Sequence, residues 1–391
     1  MDVHANREDQ PTVVVPEPAD SAHPVTIQVD DSGRNINDLL RSLERAEATP
    51  GFAARVIREE LCFRRNQGDA LPPRDFLAGH SDWQEELDKL EKISGWDENV
   101  PYPKPDEEIA GYRLIAELGR GGQGQVFLAR QMPLGGRPVV LKFTACEGIE
   151  HLKLARLQHS YIVPLYSAQD IPGRNLRVMC MPFLGAVTLA QILGHLKTKP
   201  AHTRTGKDVD QILQDAQLRF LQDLPERTEA TSSLGQTSYQ AFVCQLGLCL
   251  AEALDYAHKN GLVHLDIKPS NILLAPDGRP LLLDFHLARM PVQAGDRRVA
   301  GFGGTWRYMS PEQRKALNAI SAGELAPEAV DQRSDIYSLG LVLYEALGGE
   351  RNRQERGDPE TLPIHNPTVS PGLADILAKC LAPKAENRYA S

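Results

Sequence analysis

Twelve residues, V-H-L-D-I-K-P-S-N-I-L-L at 263–274, restrict what this chain can become more than any other stretch. Asp266, Lys268 and Asn271 fall in one loop, and a short apolar strand, L-L-L, leads from it to Asp284 in D-F-H. Phosphoryl transfer calls for a carboxylate at the attacking hydroxyl, a cation at the γ-phosphate and oxygen ligands for magnesium. One loop and the turn beside it supply all of these.

Two upstream signals are weak alone and gain weight from their order. L-G-R-G-G-Q-G-Q-V, residues 118–126, sets Gly119, Gly121 and Gly124 between two strand-like runs. There, backbone amides can approach phosphate oxygens that side chains would block. A plain hairpin with a glycine-rich tip reads the same way, whereas a dinucleotide fingerprint would open a helix and this segment runs into a strand. V-V-L-K then ends in Lys142 on the next strand, at a distance suited to gripping α and β phosphates.

With these glycines, Lys142, Asp266, Lys268, Asn271 and Asp284 in this order, residues 111–391 resemble the eukaryotic-like serine/threonine protein kinases, above all those of bacteria. G-G-T-W-R-Y-M-S-P-E (303–312) resembles the segment that closes the activation loop, and D-Q-R-S-D-I-Y-S-L-G (331–340) the buried helix of the large lobe. The resemblance implies an α+β, two-lobed protein kinase fold. A small antiparallel sheet with one helix would occupy 111–184, and a larger, mostly helical lobe 185–391. It implies ATP and Mg2+ as cofactors, and proteins bearing Ser or Thr as partners.

Roles follow from the same resemblance. Asp266 would accept or orient the hydroxyl proton, Lys268 would stabilise the transferring phosphoryl, and Asn271 and Asp284 would hold magnesium. Gly119, Gly121, Gly124 and Val126 would cover the nucleotide, and Met181 would gate the adenine pocket. The hinge residue Pro182 has no amide hydrogen, so Phe183 and Leu184 would contact adenine. Lys142 needs an acid to orient it. Counting back from L-A-R-L-Q-H points to Glu150, with Glu147 as its rival. Asp335 would anchor the loop backbone at His264, and Glu312 would pair with Arg388.

The chain also departs from the family's pattern. Leu265 stands where many members carry an arginine that binds a phosphorylated activation loop. No Ser, Thr or Tyr lies between Asp284 and Thr305. The two absences agree, and predict a domain that does not depend on activation-loop phosphorylation. His286 replaces the glycine that ends D-F-G, which is read as restricting the flip of the Asp284–Phe285 turn rather than as a strained φ above zero. The Lys142–Glu150 spacing is shorter than usual and predicts a helix short at its front end. These departures keep an alternative open, a weak or inactive pseudokinase acting as a nucleotide-binding scaffold.

Before Gly111 the signals are sparser. Pro11, Pro16, Pro18 and Pro24 among acidic residues predict a disordered tail over 1–33. Apolar residues at helical spacing predict a small helical module over 34–98. They are Ile36, Leu39, Leu40 and Leu43, then Phe52, Val56, Ile57 and Leu61, then Trp83, Leu87 and Leu90. So small a module needs the next domain or a partner to pack on. V-P-Y-P-K-P-D, at 100–106, lies in a proline-rich linker over 99–110. Polar residues over about 197–235 read as a solvated insertion between two large-lobe helices.

Net charge of -9 gives no reason to expect nucleic acid as a partner. Six cysteines without a C-x-x-C pair suit thiols in a reducing cytosol. No run reaches the roughly 18 apolar residues of a membrane helix, so a cytoplasmic chain is expected. The chain stops at R-Y-A-S, before the family's last helix, which predicts a fragment of a longer protein and leaves a membrane span beyond Ser391 open.

Overall fold

The computed structural model describes residues 12–15, 25–28, 57, 81, 83–85, 102–121, 124–146, 150–184, 187–221, 234–285, 287–296, 303–321, 324–349 and 361–391. Five strands form most of an antiparallel sheet: β1 (Tyr112–Gly121), β2 (Gly124–Gln131), β3 (Arg137–Ala145), β4 (Ser167–Ile171) and β5 (Leu176–Pro182). Their order is β1-β2-β3-β5-β4, with the two-residue strand Glu108–Ile109 beside β1.

Alternation along these strands divides the chemistry between two faces. Phe127 and Ala129, Val139, Leu141 and Phe143, and Val178 and Cys180 share one apolar core, in which the Phe127 and Phe143 rings meet edge to face at 5.7 Å. The intervening positions, Val126 and Lys142 in paired register and Val140 opposite Met181, therefore point to the other face. A one-residue slip would bury Lys142 in the wrong core.

A short helix, α1 (Glu150–Leu154), follows β3. Leu154 and Leu157 are buried while Leu152 is exposed, and the chain leaves the helix before Leu157. Ahead of β4, Ile162 makes a single bridge to Leu282, and the strand itself begins at Ser167.

The larger lobe contains α2 (Leu189–His195), α3 (Gly206–Leu221), α4 (Tyr239–Lys259), a hairpin of β6 (Ile272–Leu274) and β7 (Pro280–Leu282), then α5 (Pro311–Ser321), α6 (Gln332–Ala346) and α7 (Pro371–Cys380). Side chains satisfy their first-turn amides: Thr188 and Gln191 form a capping box on α2, and Ser238, Asp331 and Ser370 cap α4, α6 and α7. On α4, Phe242, Leu246, Leu250, Ala253 and Ala257 form an inward stripe. Gly247 lets this helix approach α6; a Cβ there would lie 2.9 Å from Leu343.

Three segments differ from expectation. The polar stretch over 197–235 is not merely a solvated insertion, because α3 lies in it and buries Val209 and Leu213 in the large-lobe core. Lys199 and Asp208 pair at 2.6 Å at its start. The linker is docked from Tyr102 onward: Tyr102 packs on the small-lobe core, and Glu107 pairs with Arg174. Within the tail, Thr12–Val15 and Val25–Gln28 form an antiparallel ribbon, as their β-branched residues favour. Of the helical module, Ile57 and Trp83 are buried, and most of its residues lie outside the described set. Among the described residues no helix is long and apolar enough to cross a membrane.

A buried ion pair ties α5 to the end of the chain. Arg388 donates to both Glu312 carboxylate oxygens, at 2.6 and 2.9 Å, and to the carbonyls of Ala382, Pro383 and Arg333. Burial alone would raise the Glu312 pKa, but Arg388 and the Ser334 hydroxyl hold it below the ordinary carboxylate value. A depressed folded-state pKa contributes stability that is complete above the unfolded pKa and is lost as pH falls through the folded one. Arg388→Ala is expected to lower the unfolding free energy by about 3–5 kcal/mol at neutral pH, measured by denaturant titration. The gap to the unsubstituted protein should narrow as the medium is acidified below the carboxylate range.

Candidate active site

The loop after α4 is held by one carboxylate. Asp335, in the first turn of α6, accepts from the His264 amide at 2.7 Å, the Leu265 amide at 2.8 Å and the His258 Nε2 at 2.8 Å. His264 is itself buried, and burial pushes its imidazole pKa down against the pull of Asp335. A neutral ring fits its contacts: Nε2 donates to the Leu283 carbonyl at 2.9 Å, while Nδ1 accepts from the Asp266 amide at 3.3 Å. Its edge meets Phe285 at 4.7 Å, so the loop and the D-F-H turn are packed together.

This anchoring brings together the expected large-lobe residues. Asp266 is 3% exposed, yet its carboxylate is well satisfied. Oδ2 meets Lys268 Nζ at 2.8 Å and Asn271 Nδ2 at 3.2 Å, and Asn271 also donates to the Asp266 carbonyl at 2.9 Å. Oδ1 accepts both from the Thr305 amide and from its hydroxyl, each at 2.8 Å, while Lys268 donates to that hydroxyl at 2.7 Å. Asp266, Lys268 and Thr305 thus close a hydrogen-bonded ring between the loop and the segment before α5.

Across the cleft, Lys142 on β3 donates to both Glu150 oxygens at 2.9 Å and to Asp284 Oδ1 at 2.7 Å. Burial alone would lower the lysine pKa, but the Asp284 and Glu150 carboxylates outweigh it and keep Lys142 charged, above the ordinary lysine value. Glu150 therefore holds the lysine in this structure; its rival Glu147 lies outside the described residues, as does His286.

Gly119 pairs with Val126 and Gly121 with Gly124 in the β1–β2 hairpin, while residues 122 and 123 lie outside the described set. At Gly124, φ is +128° and a Cβ would come within 1.8 Å of the Phe143 carbonyl, so no other residue fits. Beside the hairpin, Met181 joins Val163, Ala275 and Leu281, with Val140, Leu184 and Leu273 packed against them. Phe183 is half-buried next to Leu184 at the end of β5.

These residues fit a magnesium nucleotide. The apolar patch from both lobes suits a flat base, Lys142 is a fixed cation, and Asp284 and Asn271 offer hard oxygens. The Asn271 amide nitrogen is taken by Asp266, which leaves its carbonyl oxygen as the possible metal ligand. Magnesium commonly takes one or two protein oxygens and completes its shell with phosphate and water.

Several members of the site were not legible as such. Thr305 and His258 act across 39 and 77 positions of chain. Val140 sits in the singled-out V-V-L-K run and Leu273 in the loop motif, but only the fold brings them to Met181. The order G-G-T before a W-R-Y-M-S-P-E segment was a usable signal for Thr305.

Comparison with known proteins agrees with this geometry. Residues 112–391 match the protein kinase domain family, and the chain belongs to that family. A protein described as a probable serine/threonine-protein kinase of Streptomyces coelicolor is 28% identical over 306 residues, covering 72% of this chain and 38% of its own length. Serine/threonine-protein kinase PknB of Mycobacterium tuberculosis is 29% identical over 307 residues, covering 71% of this chain and 40% of its own length. PknB of Mycolicibacterium smegmatis is 29% identical over 304 residues, with the same shares. The chain thus spans about two-fifths of the length of these curated relatives.

Glu150→Gln keeps the shape beside Lys142 and removes one charge from a buried, charge-assisted contact. Such contacts contribute about 1.5–3 kcal/mol, so nucleotide-dependent phosphate transfer should fall roughly 10- to 100-fold. Steady-state kinetics with varied ATP measure this directly.

Proposed function

We propose that this chain is a protein serine/threonine kinase, moving the ATP γ-phosphate to Ser or Thr hydroxyls of other proteins. The observation that carries the reading is the ring formed by Asp266, Lys268 and Thr305. It presents a carboxylate and an ammonium at one point, where a hydroxyl can lose its proton and a phosphoryl oxygen can meet a cation.

In this reading ATP supplies the phosphoryl group, and magnesium, held by Asn271 and Asp284, neutralises its charge when bound. Asp266 orients the incoming hydroxyl and takes its proton. Lys268 stabilises the equatorial oxygens, and Lys142, fixed by Glu150, holds the nucleotide's phosphates in line. Gly119, Gly121, Gly124 and Val126 cover them, while Met181, Phe183 and Leu184 face the base. Little covalent work remains for the protein; positioning and charge account for the rate.

Activation-loop phosphorylation is not part of this mechanism. Leu265 is 2% exposed, in an apolar cluster with Val263, Val292, Ala316, Ala326 and Val330. Val292 and Val330 exchange two backbone hydrogen bonds, at 3.0 and 2.9 Å, beside it. Apolar burial and a strand bridge thus support the segment after D-F-H, where an arginine–phosphate pair would otherwise be needed.

The test is transfer of labelled phosphate from magnesium ATP to a generic basic protein and to the chain itself. Label on Ser or Thr is expected, falling at least about 100-fold in Asp266→Asn. Treatment with a protein phosphatase before assay should leave the rate within about 2-fold. No transfer, together with a melting temperature raised by nucleotide, would instead establish a binding scaffold.

A further inference from the structure

Gln313 follows the buried Glu312 on α5 and touches none of the groups assigned a chemical role above. Its side chain is fully buried, and its Nε2 donates two hydrogen bonds of 2.8 Å, one to the Leu265 carbonyl and one to the Gly303 carbonyl. The first acceptor belongs to the peptide that enters Asp266. The second lies two residues before Thr305, the residue that grips Asp266 Oδ1. One amide nitrogen therefore joins the two backbone segments whose spacing sets the carboxylate.

The amide's orientation is fixed by chemistry. Exchanging its oxygen and nitrogen would aim an oxygen at two carbonyls, and the oxygen where it stands finds no hydrogen-bond partner among the described residues. A buried amide that leaves one end unsatisfied costs stability, so the Nε2 contacts must be the reason for its placement.

Leu265 shows what the contact opposes. Its φ is +65°, a left-handed conformation that costs a non-glycine residue about 1–2 kcal/mol. Such a residue persists only where its surroundings determine it. Here both of its backbone polar groups are held, the amide by Asp335 and the carbonyl by Gln313. Gly304 completes the junction: a Cβ there would lie 2.5 Å from the Leu265 carbonyl and 2.8 Å from Gln313 Nε2.

We infer that Gln313 is a positioning residue, which locks the catalytic loop to the segment before α5 and thereby sets the direction of Asp266. This rests on the kinase reading above. The amide bridge carries no charge, so the lock is set by folding itself and is indifferent to pH across the neutral range.

The test uses the full chain and two variants, Gln313→Met, which keeps length without a donor, and Gln313→Glu, which keeps shape and replaces nitrogen by oxygen. Turnover is normalised to nucleotide-binding sites, so any unfolded fraction drops out. Both variants should lose roughly 10- to 100-fold in kcat, with KM for ATP within about 2-fold, because the nucleotide-gripping residues are untouched. A purely structural role would lower the melting temperature and leave normalised kcat unchanged, overturning the inference.

A second readout needs no activity. Amide hydrogen exchange at Leu265 and Thr305 should quicken in Gln313→Met, and unchanged exchange there would refute the lock. If the unsubstituted chain transfers no phosphate, the kinase reading fails, while the exchange result still decides the role of Gln313.

Discussion

A single buried carboxylate organises the large lobe. Removing a charge from water costs several kcal/mol after relaxation, and a carboxylate survives it only when its lone pairs are met. Asp335 is fully buried and meets three donors, two of them successive amides of the loop it orients. Its place in the first turn of α6 adds the favourable field of a helix N-terminus. The same helix serves other segments in its first two turns: Ser334 donates to Glu312, Ser338 to the Tyr308 carbonyl, and the Arg333 carbonyl accepts from Arg388. The loop after α4, the segment before α5 and the residues around Arg388 thus take their positions from one rigid element.

Such anchoring permits a strained site. Leu265 and Asp284 both adopt positive φ, at +65° and +67°. Each lies next to a group that holds it: Asp335 and Gln313 bind the peptide groups of Leu265, and Lys142 binds the Asp284 side chain at 2.7 Å. The left-handed turns aim Asp266 and Asp284 into the cleft while the apolar neighbours, Leu265 and Phe285, turn into the cores. Side-chain chemistry and backbone strain are therefore two aspects of one arrangement, in which alternate residues must face opposite surroundings within a few ångströms.

What the sequence made legible follows the range of the interactions. Asp266, Lys268 and Asn271 share one loop, and strand alternation in V-V-L-K puts Lys142 opposite the core side, so local pattern sufficed. Glu150 was reachable by counting from L-A-R-L-Q-H. Gln313 carried no signal, because its partners lie 48 and 10 positions away and an amide after P-E reads as an ordinary helical surface residue. Helix α3 escaped for a different reason. Among its described side chains Val209 and Leu213 are the apolar ones buried deeply, and they stand in a stretch rich in Asp and Gln, so the apolar stripe was lost in a polar average. The ribbon near the N-terminus shows the converse, since prolines dominated the reading of a segment whose two β-branched runs can pair.

The cleft itself is balanced on one lysine. Lys142 has three N–H donors, and Glu150 Oε1, Glu150 Oε2 and Asp284 Oδ1 take all three. A phosphate oxygen can bond this ammonium only by sharing or replacing one of those acceptors. Glu150 is the more buried of the two acids, with 9% of its side chain exposed against 20% for Asp284, and it comes from the lysine's own lobe. Stripping a buried carboxylate of its cation is the costlier exchange, so Asp284 is the partner to be released. In the proposed reading a divalent cation at that carboxylate would offset its release. As it stands, Lys142 links the two lobes by pairing with one acid from each.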